Sequence, residues 1–592
     1  MPAGVIDVHP EKHHHQPAYD DGQPKTAGVM EAQMQDQDRL AALGVNSELK
    51  RGWGLLESFG SSFSIISVVT GITTLFATGL ASGGPAVMAF GWIFVSFFTM
   101  FVAASMAEIV SAVPTSGGPY HWSALLAPPK YSAFAAWATG YFNLLGQVAV
   151  TTGISFGLAG VISTVAALHG YVPSAPKTIG IYAAILVSHG IINTFGIRLL
   201  GFFNRASILL QSVGVGALAI SVLAKAPRLR SGREIFLTFN DGTGLDGVGW
   251  GQRASNAYVA CIGILLAQYT ITGFNASAHM SEETRSAART APLGVITAVG
   301  ASSLWGFFYL LSLLAAIQNL EDTISNSVGN PVLKIFLDCF GDPGATIAFA
   351  FICVCIYLCG LFSVTANSRM MYAFSRERAL PGFFDHVESR SSSPVRAIWL
   401  AVVLAFCLAL PSLGSAVAFS AATSIATIGL YISYVIPIGI RLFAHDRFLE
   451  IRGPWHLGVA GRPVAAVSLL YVCFITIVFC LPQLNPVDRE TLNYTPVAVG
   501  IIALYTVLSW FLFARRWYKG PRLSEYFSGL FPTRLKWQEP RSSCDHLTPL
   551  SLFSVALAEA ALEPGMPVIA QLESGDEKDK VANVGVERVI TQ

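Results

Sequence analysis

Two apolar stretches of this chain are interrupted at their middles by residues that can hold a polar ligand. The run from Phe59 to Leu80 is broken by Ser67-Val68-Val69-Thr70-Gly71-Ile72-Thr73, and the run from Val259 to about Met280 by Gln268-Tyr269-Thr270-Ile271-Thr272-Gly273-Phe274-Asn275. A helix in lipid must satisfy every backbone N–H and C=O internally, so a broken one is tolerated only where protein or a cavity uses the freed groups. The chemistry on offer is non-covalent recognition. Val69, Thr70, Gly71 and Ile72 are read as an unwound turn, with Gly71 supplying backbone angles that a side chain forbids. The half-helix after it would present free N–H groups and a positive dipole end, suited to a carboxylate. In the second break Gly273 is the flexible point. Tyr269 and Phe274 offer aromatic faces to an amine or ammonium group, and Thr270, Thr272 and Asn275 offer hydrogen bonds. The plainer alternative for each glycine is a close helix contact, and for each aromatic it is core packing or a lipid-facing position.

The elements that must position these residues follow from composition. The chain has 592 residues, 53% of them hydrophobic and only 12% charged, with mean hydropathy +0.54. Soluble domains are about 25% charged, so recurring apolar runs of about 20 residues make this a polytopic, all-α membrane protein. A net charge of +1 argues against a nucleic-acid partner. Nine cysteines are scattered, mostly in apolar segments, which implies packing rather than a disulfide framework or a metal site. The polar N-terminus carries no cleavable signal pattern, leaving the first span to act as the insertion signal.

Twelve spans are expected, at approximately 58–80, 84–110, 132–165, 178–197, 201–224, 254–280, 292–317, 345–373, 396–411, 415–443, 464–482 and 496–516. The domain division is a tail over 1–57, a membrane domain over 58–516 and a second tail over 517–592. Lysine and arginine collect on one side, among them Lys50, Lys130, Arg205, Arg285, Arg369, Arg441 and Arg515, so both tails are expected to be cytoplasmic. The loop between spans 5 and 6 violates the pattern with Lys225, Arg228, Arg230, Arg233 and Arg253. Asn493-Tyr494-Thr495 is then an extracytoplasmic glycosylation sequon, although Pro496 follows it directly.

The breaks fall in the first and sixth spans. Paired interruptions at corresponding places in two halves are the best sequence pointer to a transporter's binding site. Asn143 and Gln147, spaced i,i+4 on one face of span 3, either line that cavity or tie helices together. Thr365 and Asn367 on span 8 face the same choice. Glu108, an acid at the end of span 2, reads as a structural or gating contact rather than a proton carrier. Gly242-Thr243-Gly244-Leu245-Asp246-Gly247 matches a nucleotide-loop pattern without the strand–helix context it needs, and reads as a turn-rich loop. His13-His14-His15 reads as solvated tail.

Four motifs carry a family resemblance: Leu43-Gly44-Val45-Asn46-Ser47-Glu48-Leu49-Lys50-Arg51, the stretch Ala107 to Trp122, Ala278-His279-Met280-Ser281-Glu282-Glu283, and Ala366-Asn367-Ser368-Arg369 running on to Leu380-Pro381. Together they resemble the amino acid–polyamine–organocation transporter superfamily, and its fungal amino acid/choline branch with permeases for γ-aminobutyrate, choline and polyamines. The resemblance spans roughly residues 40 to 520. It implies two inverted five-helix repeats (a LeuT-like 5+5 fold) with two further helices. Substrate would bind between broken helices 1 and 6 and move by alternating access. It places Asn367 and Arg369, like Glu108, at gating or structural positions. Some proton-coupled relatives keep a lysine inside helix 5, where this chain offers Gln211 and Ser212. A proton is nevertheless the expected coupling ion, with no cofactor, and the plasma membrane the expected location, with the vacuolar membrane as the alternative. Lys12, Lys25, Lys578 and Lys580 would serve ubiquitin-dependent trafficking. The scarcity of acids deep in the spans favours a zwitterion or small quaternary amine over a polyamine. A membrane enzyme would need a clustered catalytic set that the sequence does not show, and a non-transporting nutrient sensor would share the fold.

Overall fold

The computed structural model describes residues 53–521 except 196, 326–328, 389–390, 392 and 414–417. The first of the four motifs, the tail histidines and the candidate ubiquitin lysines lie outside the described residues. Among those described, the chain is helical, with isolated β-bridges and no named strand.

Local sequence explains where many helices begin. Proline sits in the first turn of α3 (Gly84–Ala112), α4 (Pro119–Leu126), α5 (Pro129–Ala167), α13 (Pro331–Arg376) and α17 (Thr495–Ser509), where its missing N–H costs nothing. At α13 the Asn330 side chain also accepts the N–H of Val332 at 2.9 Å, an N-cap. The other helices that shape the bundle are α1 (Leu55–Ile66), α2 (Val68–Ala81), α6 (Ala175–Phe195), α7 (Ile197–Leu209), α8 (Val215–Lys225), α9 (Asn256–Gly263), α10 (Leu265–Thr270), α11 (Ala276–His279), α12 (Ala287–Ala316), α14 (Val395–Ala409), α15 (Ala418–Phe443) and α16 (Gly461–Val478), with short helices such as Gly232–Phe236 and His445–Ile451 in the connections. A π-helical turn, Leu210–Gly214, joins α7 to α8.

Eleven helices among the described residues are long and apolar enough to cross a membrane, counting α1–α2 and α7–α8 as one each. The predicted sixth span is missing from that count because it is fragmented: α9, α10, a turn and α11 share it, and its longest apolar piece is Asn256–Thr270. The predicted eighth span, 345–373, is the C-terminal part of a longer helix, Pro331–Arg376, that bends at Gly341 (φ +68°).

The layer at the centre is α5 against α15, flanked by α13, and α12 against α1 and α3. Glycines set the α5–α15 approach. A Cβ on Gly146 would lie 2.5 Å from the Leu430 nitrogen, and one on Gly429 would lie 2.9 Å from the Gly146 nitrogen. Without hydrophobic drive between helices in lipid, such backbone proximity supplies the packing energy.

The basic loop between α8 and α9 is neutralised in part by its own acids: Arg228 pairs with Glu234 at 2.8 Å and Arg253 with Asp246 at 3.0 Å. It also covers the end of α2. The Asn240 amide donates to the Leu80 carbonyl at 2.9 Å and the Gly242 N–H to the Ala81 carbonyl at 2.8 Å, satisfying carbonyls that a helix end leaves free. The sequon at Asn493 is spent on structure. Its amide donates to the Phe479 and Leu481 carbonyls at 2.8 and 2.9 Å, and its oxygen accepts the Thr495 N–H. Glycosidase treatment is therefore expected to leave the electrophoretic mobility unchanged, with Asn493→Gln migrating identically; a glycan removed at Asn493 would contradict this.

Candidate functional site

The first break lies at Ser67, not at Gly71. Ser67 takes left-handed angles (φ 31°, ψ 81°) between α1 and α2, while Val69, Thr70, Gly71 and Ile72 are helical. A serine there is strained by about 1–3 kcal/mol, and its neighbours over-determine it. The Ser67 hydroxyl shares a hydrogen with Thr70 Oγ1 at 2.6 Å, and its carbonyl accepts the N–H groups of Thr70 (2.8 Å) and Gly71 (3.4 Å). The carbonyls freed at the end of α1 are also claimed. Gln211 of the π-helical turn donates to Ser64 O at 3.3 Å, and the Cys359 thiol of α13 to Ile65 O at 3.2 Å. The N–H groups of Val68 and Val69 occupy the first positions of α2, which have no carbonyl within the helix.

Gly71 serves instead as the contact between the two broken elements. A Cβ on it would lie 2.1 Å from Thr270 Oγ1 and 2.7 Å from Thr270 Cα.

The second break falls at Ile271–Asn275, between α10 and α11. Gly273 has φ +96°, the region that favours glycine, and it rests against Ile65. The turn is stitched to α1: Ser62 donates to the Phe274 carbonyl at 2.7 Å, and Ser277 donates to the Ser58 carbonyl at 2.6 Å.

Between the breaks lies a cavity of ≈ 10 Å³, about the room one water needs. Ile65 and Ile66 of α1, Thr70 and Gly71 of α2, Val150 and Ile154 of α5, Tyr269 and Thr270 of α10, and Thr272 line it. No lining residue is charged. The Tyr269 hydroxyl is buried without a partner among the described residues. Of the residues singled out by sequence, Thr70, Gly71, Tyr269, Thr270 and Thr272 meet here. Val69 and Ile72 are buried beside it without lining it. Gly273 and Asn275 lie in the turn beyond, and Phe274 packs against Tyr431 and Tyr434 at 6.2 and 5.4 Å between ring centroids. Phe274 therefore packs its ring against two tyrosines of α15, in an edge and a tilted contact, and does not line the cavity.

Asn143 and Gln147 do not line the cavity but share its stripe of α5. Positions 143, 147, 150 and 154 repeat at helical spacing, one face of a helix. Both are buried, and neither amide atom of Asn143 has a partner among the described residues. On α13, Thr365 donates to Asn193 at 2.7 Å, and Asn367 reaches Thr151 of α5 at 3.4 Å; both tie helices together.

The end of the bundle where α3 and α13 finish is closed by buried ion pairs. Glu108 pairs with Arg441, which also donates to the Gly461 carbonyl at 2.8 Å, and the Leu457 N–H donates to Glu108 at 3.2 Å. Arg369 pairs with Glu283 at 2.9 Å. Arg376 reaches both oxygens of Glu282, at 3.2 and 3.3 Å. The Glu282 carboxylate also accepts from the N–H and hydroxyl of Ser116, at 3.0 and 2.7 Å. Burial pushes the Glu282 carboxyl up, but Arg376 and Ser116 outweigh it and hold it below the usual carboxylate range. These pairings join segments far apart in the chain and had no signal in the sequence beyond the motifs that contain them. Ser67 opens the interruption read from the sequence, but glycine is the expected residue at a break, and Cys359 reads there as packing.

The profile of the family described as amino acid permease matches residues 56–504, which takes in both breaks, the cavity and the ion pairs. An amino-acid permease BAT1 homolog of Oryza sativa subsp. japonica is 44% identical over 82% of this chain and 95% of that protein. Amino-acid permease BAT1 of Arabidopsis thaliana is 42% identical over 82% of this chain and 96% of that protein. The GABA-specific permease of Saccharomyces cerevisiae is 29% identical over 82% of this chain and 86% of that protein.

Proposed function

The chain belongs to the amino acid permease family, and on that footing we propose that it moves a small zwitterionic amino acid across a membrane by alternating access around the cavity between the two breaks. Membership makes it a multi-pass transporter rather than an enzyme. The finer reading rests on one observation: an uncharged cavity with helix ends of opposite polarity at its wall. The N-terminus of α2, whose first N–H groups at Val68 and Val69 have no carbonyl within the helix, suits a carboxylate. The C-terminal carbonyls of α10 suit an amine, beside the hydroxyls of Tyr269, Thr270 and Thr272. A zwitterion satisfies both ends and brings no net charge into an uncharged site. Choline has no carboxylate for the first, and a polyamine would bury several charges without counter-ions.

The cavity holds about one water, far less than an amino acid, so α1–α2 and α10–α11 must part to admit substrate. The buried ion pairs at Glu108, Glu282 and Glu283 would then be the closed cytoplasmic gate, with Arg369 as one of its bonds. Asn143 and Gln147, on the cavity's stripe of α5 toward that side, would meet substrate on its way out. In this reading helices 1–5 and 6–10 form two inverted halves with twelve spans in all, both termini are cytoplasmic, and the plasma membrane is the site of action. γ-Aminobutyrate is among the substrates to be tried, because a relative bears its name.

Uptake of labelled γ-aminobutyrate, neutral amino acids, choline and spermidine in a transporter-deficient host tests this. Saturable uptake of at least one zwitterion, competed by its unlabelled form, is expected. Spermidine or choline as the sole substrate would overturn the reading, and no substrate-dependent flux at all would favour a sensor.

A further inference from the structure

Tyr269 and Thr270 of α10 line the cavity, and the residue before them reaches instead toward α16. Gln268 is fully buried, and its Oε1 accepts the hydroxyl of Tyr471. Its amide nitrogen is buried without a hydrogen-bond partner among the described residues. The Gln268 carbonyl accepts the hydroxyl of Thr272, a cavity residue, at 2.6 Å. The amide bonded to α16 and the hydroxyl at the cavity thus share one turn of chain.

Tyr471 is held by its neighbours. Its buried ring stacks on Phe98 of α3, with 5.0 Å between centroids and 16° between planes, and meets Phe94 edge to face at 6.1 Å. Thr99 of α3 and Tyr431 of α15 complete the polar cluster. Their hydroxyls lie 3.4 Å apart; Thr99 also interacts with Tyr471, and Tyr431 with Gln268 and Thr272. A second rung fastens the start of the same span. Tyr258 of α9 donates to the Pro482 carbonyl, just past α16, at 2.7 Å. Residue numbers rise along α9–α10 from one rung to the other as they fall along α16, so the two run antiparallel. α16 itself follows the ten helices of the two proposed repeats.

We propose that Tyr471 is a positioning residue for transport: through Gln268 it seats α10 against α16 while the cavity is closed, and α10 leaves that seat each time the cavity opens. The proposal rests on the alternating-access reading above, in which α10 must part from α2. Burial gives the bond its leverage. In the closed state no water reaches the Gln268 amide, and its oxygen has the Tyr471 hydroxyl. In the open state water can satisfy both amide atoms. The orphan nitrogen keeps the exchange cheap, because closing leaves one polar atom unpaired and opening pairs it. One bond with one orphan holds α10 in register without locking it. The consequence has a direction. Tyr471→Phe keeps the ring and its stacking but strands the Gln268 oxygen in the closed state alone, so it favours opening. Adding Gln268→Leu removes the stranded amide and returns the balance to that of wild type.

The test reads opening directly and needs no substrate. Val150 lines the cavity. In the full chain in detergent, Val150→Cys reacts with a charged thiol reagent only while the cavity is open, once labelling of the nine native cysteines is subtracted. Its rate is then proportional to the open population. In that background Tyr471→Phe is expected to raise the rate by about 5- to 100-fold, the range for a stranded buried polar atom. Tyr471→Phe with Gln268→Leu is expected to restore the starting rate. Simple damage to packing would raise the rate in the double variant too, so an unrestored rate overturns the proposal. A Tyr471→Phe rate equal to the starting one also overturns it, since α10 would then never leave α16. In both cases the basal labelling of Val150→Cys leaves alternating access standing. A Val150→Cys protein unlabelled in every variant refutes the alternating-access reading and the proposal with it. Should Tyr471→Phe fail to reach the membrane, Gln268→Leu alone breaks the same bond from the other side and is expected to raise the rate; an unraised rate overturns the proposal.

Discussion

Replacing Arg441 with methionine is expected to remove most folded protein from the membrane, and adding Glu108→Gln is expected to bring most of it back. Arg441 and Glu108 are 1% and 2% exposed. Arg441 reaches the Gly461 carbonyl and lies over the Phe448 ring at 4.6 Å, and the Leu457 N–H completes the carboxylate's shell. Gly461 leaves them room, since a Cβ there would lie 2.4 Å from Arg441 Nη2. The single substitution keeps a buried carboxylate and takes away its cation, a loss of about 3–5 kcal/mol against a total stability of about 5–15 kcal/mol. The double substitution replaces both charges by neutral groups of similar length, which is often near neutral. Melting temperatures of the purified single and double variants in detergent, with surface abundance in cells, measure this. An Arg441→Met protein as stable as wild type would show that the pair contributes nothing.

Gly71→Val is expected to cut transport sharply while leaving the protein in the membrane. The added Cβ meets Thr270 at its Cα as well as its hydroxyl, and backbone cannot swing aside as a long side chain does. Relief comes only from pushing α2 away from α10, at about 1–3 kcal/mol for overpacking. Each 1.4 kcal/mol of misfit at the site amounts to about tenfold in affinity, so a loss of about 5- to 100-fold in uptake is expected even before gating is considered. Gly160→Ala is the matched control. It lies on the neighbouring α5 with nothing within 4 Å of a Cβ, and its uptake should equal wild type. Initial rates corrected for surface abundance distinguish the two, and a Gly71→Val protein transporting normally would remove Gly71 from the site.

What the sequence made legible follows the range of the interactions involved. Apolar runs are local, and the long helices appear where those runs predicted them. The second break was legible because Gly273 performs its own local task, a positive φ. The first lies at the edge of the interruption that the sequence offers, at Ser67 rather than at Gly71. Glycine there is used for proximity, and the irregular backbone sits at Ser67, which bonds Thr70, just after the Ser64 and Ile65 carbonyls that Gln211 and Cys359 take. Two of those partners come from other helices, which no local pattern reveals. Phe274 adjoins the break and so reads from sequence as a candidate for the substrate, yet Tyr431 and Tyr434, far along the chain, pack on its ring. Asn493 shows the same limit: the sequon is a three-residue pattern, and the carbonyls that consume its amide lie in the preceding helix end. Sequence reasoning found the neighbourhood of the cavity, and long-range packing decided which of its side chains face inward.

The uncharged wall of that cavity has an electrical consequence. A membrane voltage does work only on charge that moves, about 2.3 kcal/mol for each elementary charge per 100 mV. Since no cavity-lining side chain carries charge, a zwitterion crossing there feels almost no pull from the field. Current recorded during turnover would then count the accompanying ions, almost undiluted by the substrate, and the ratio of current to labelled flux would give the stoichiometry of coupling directly.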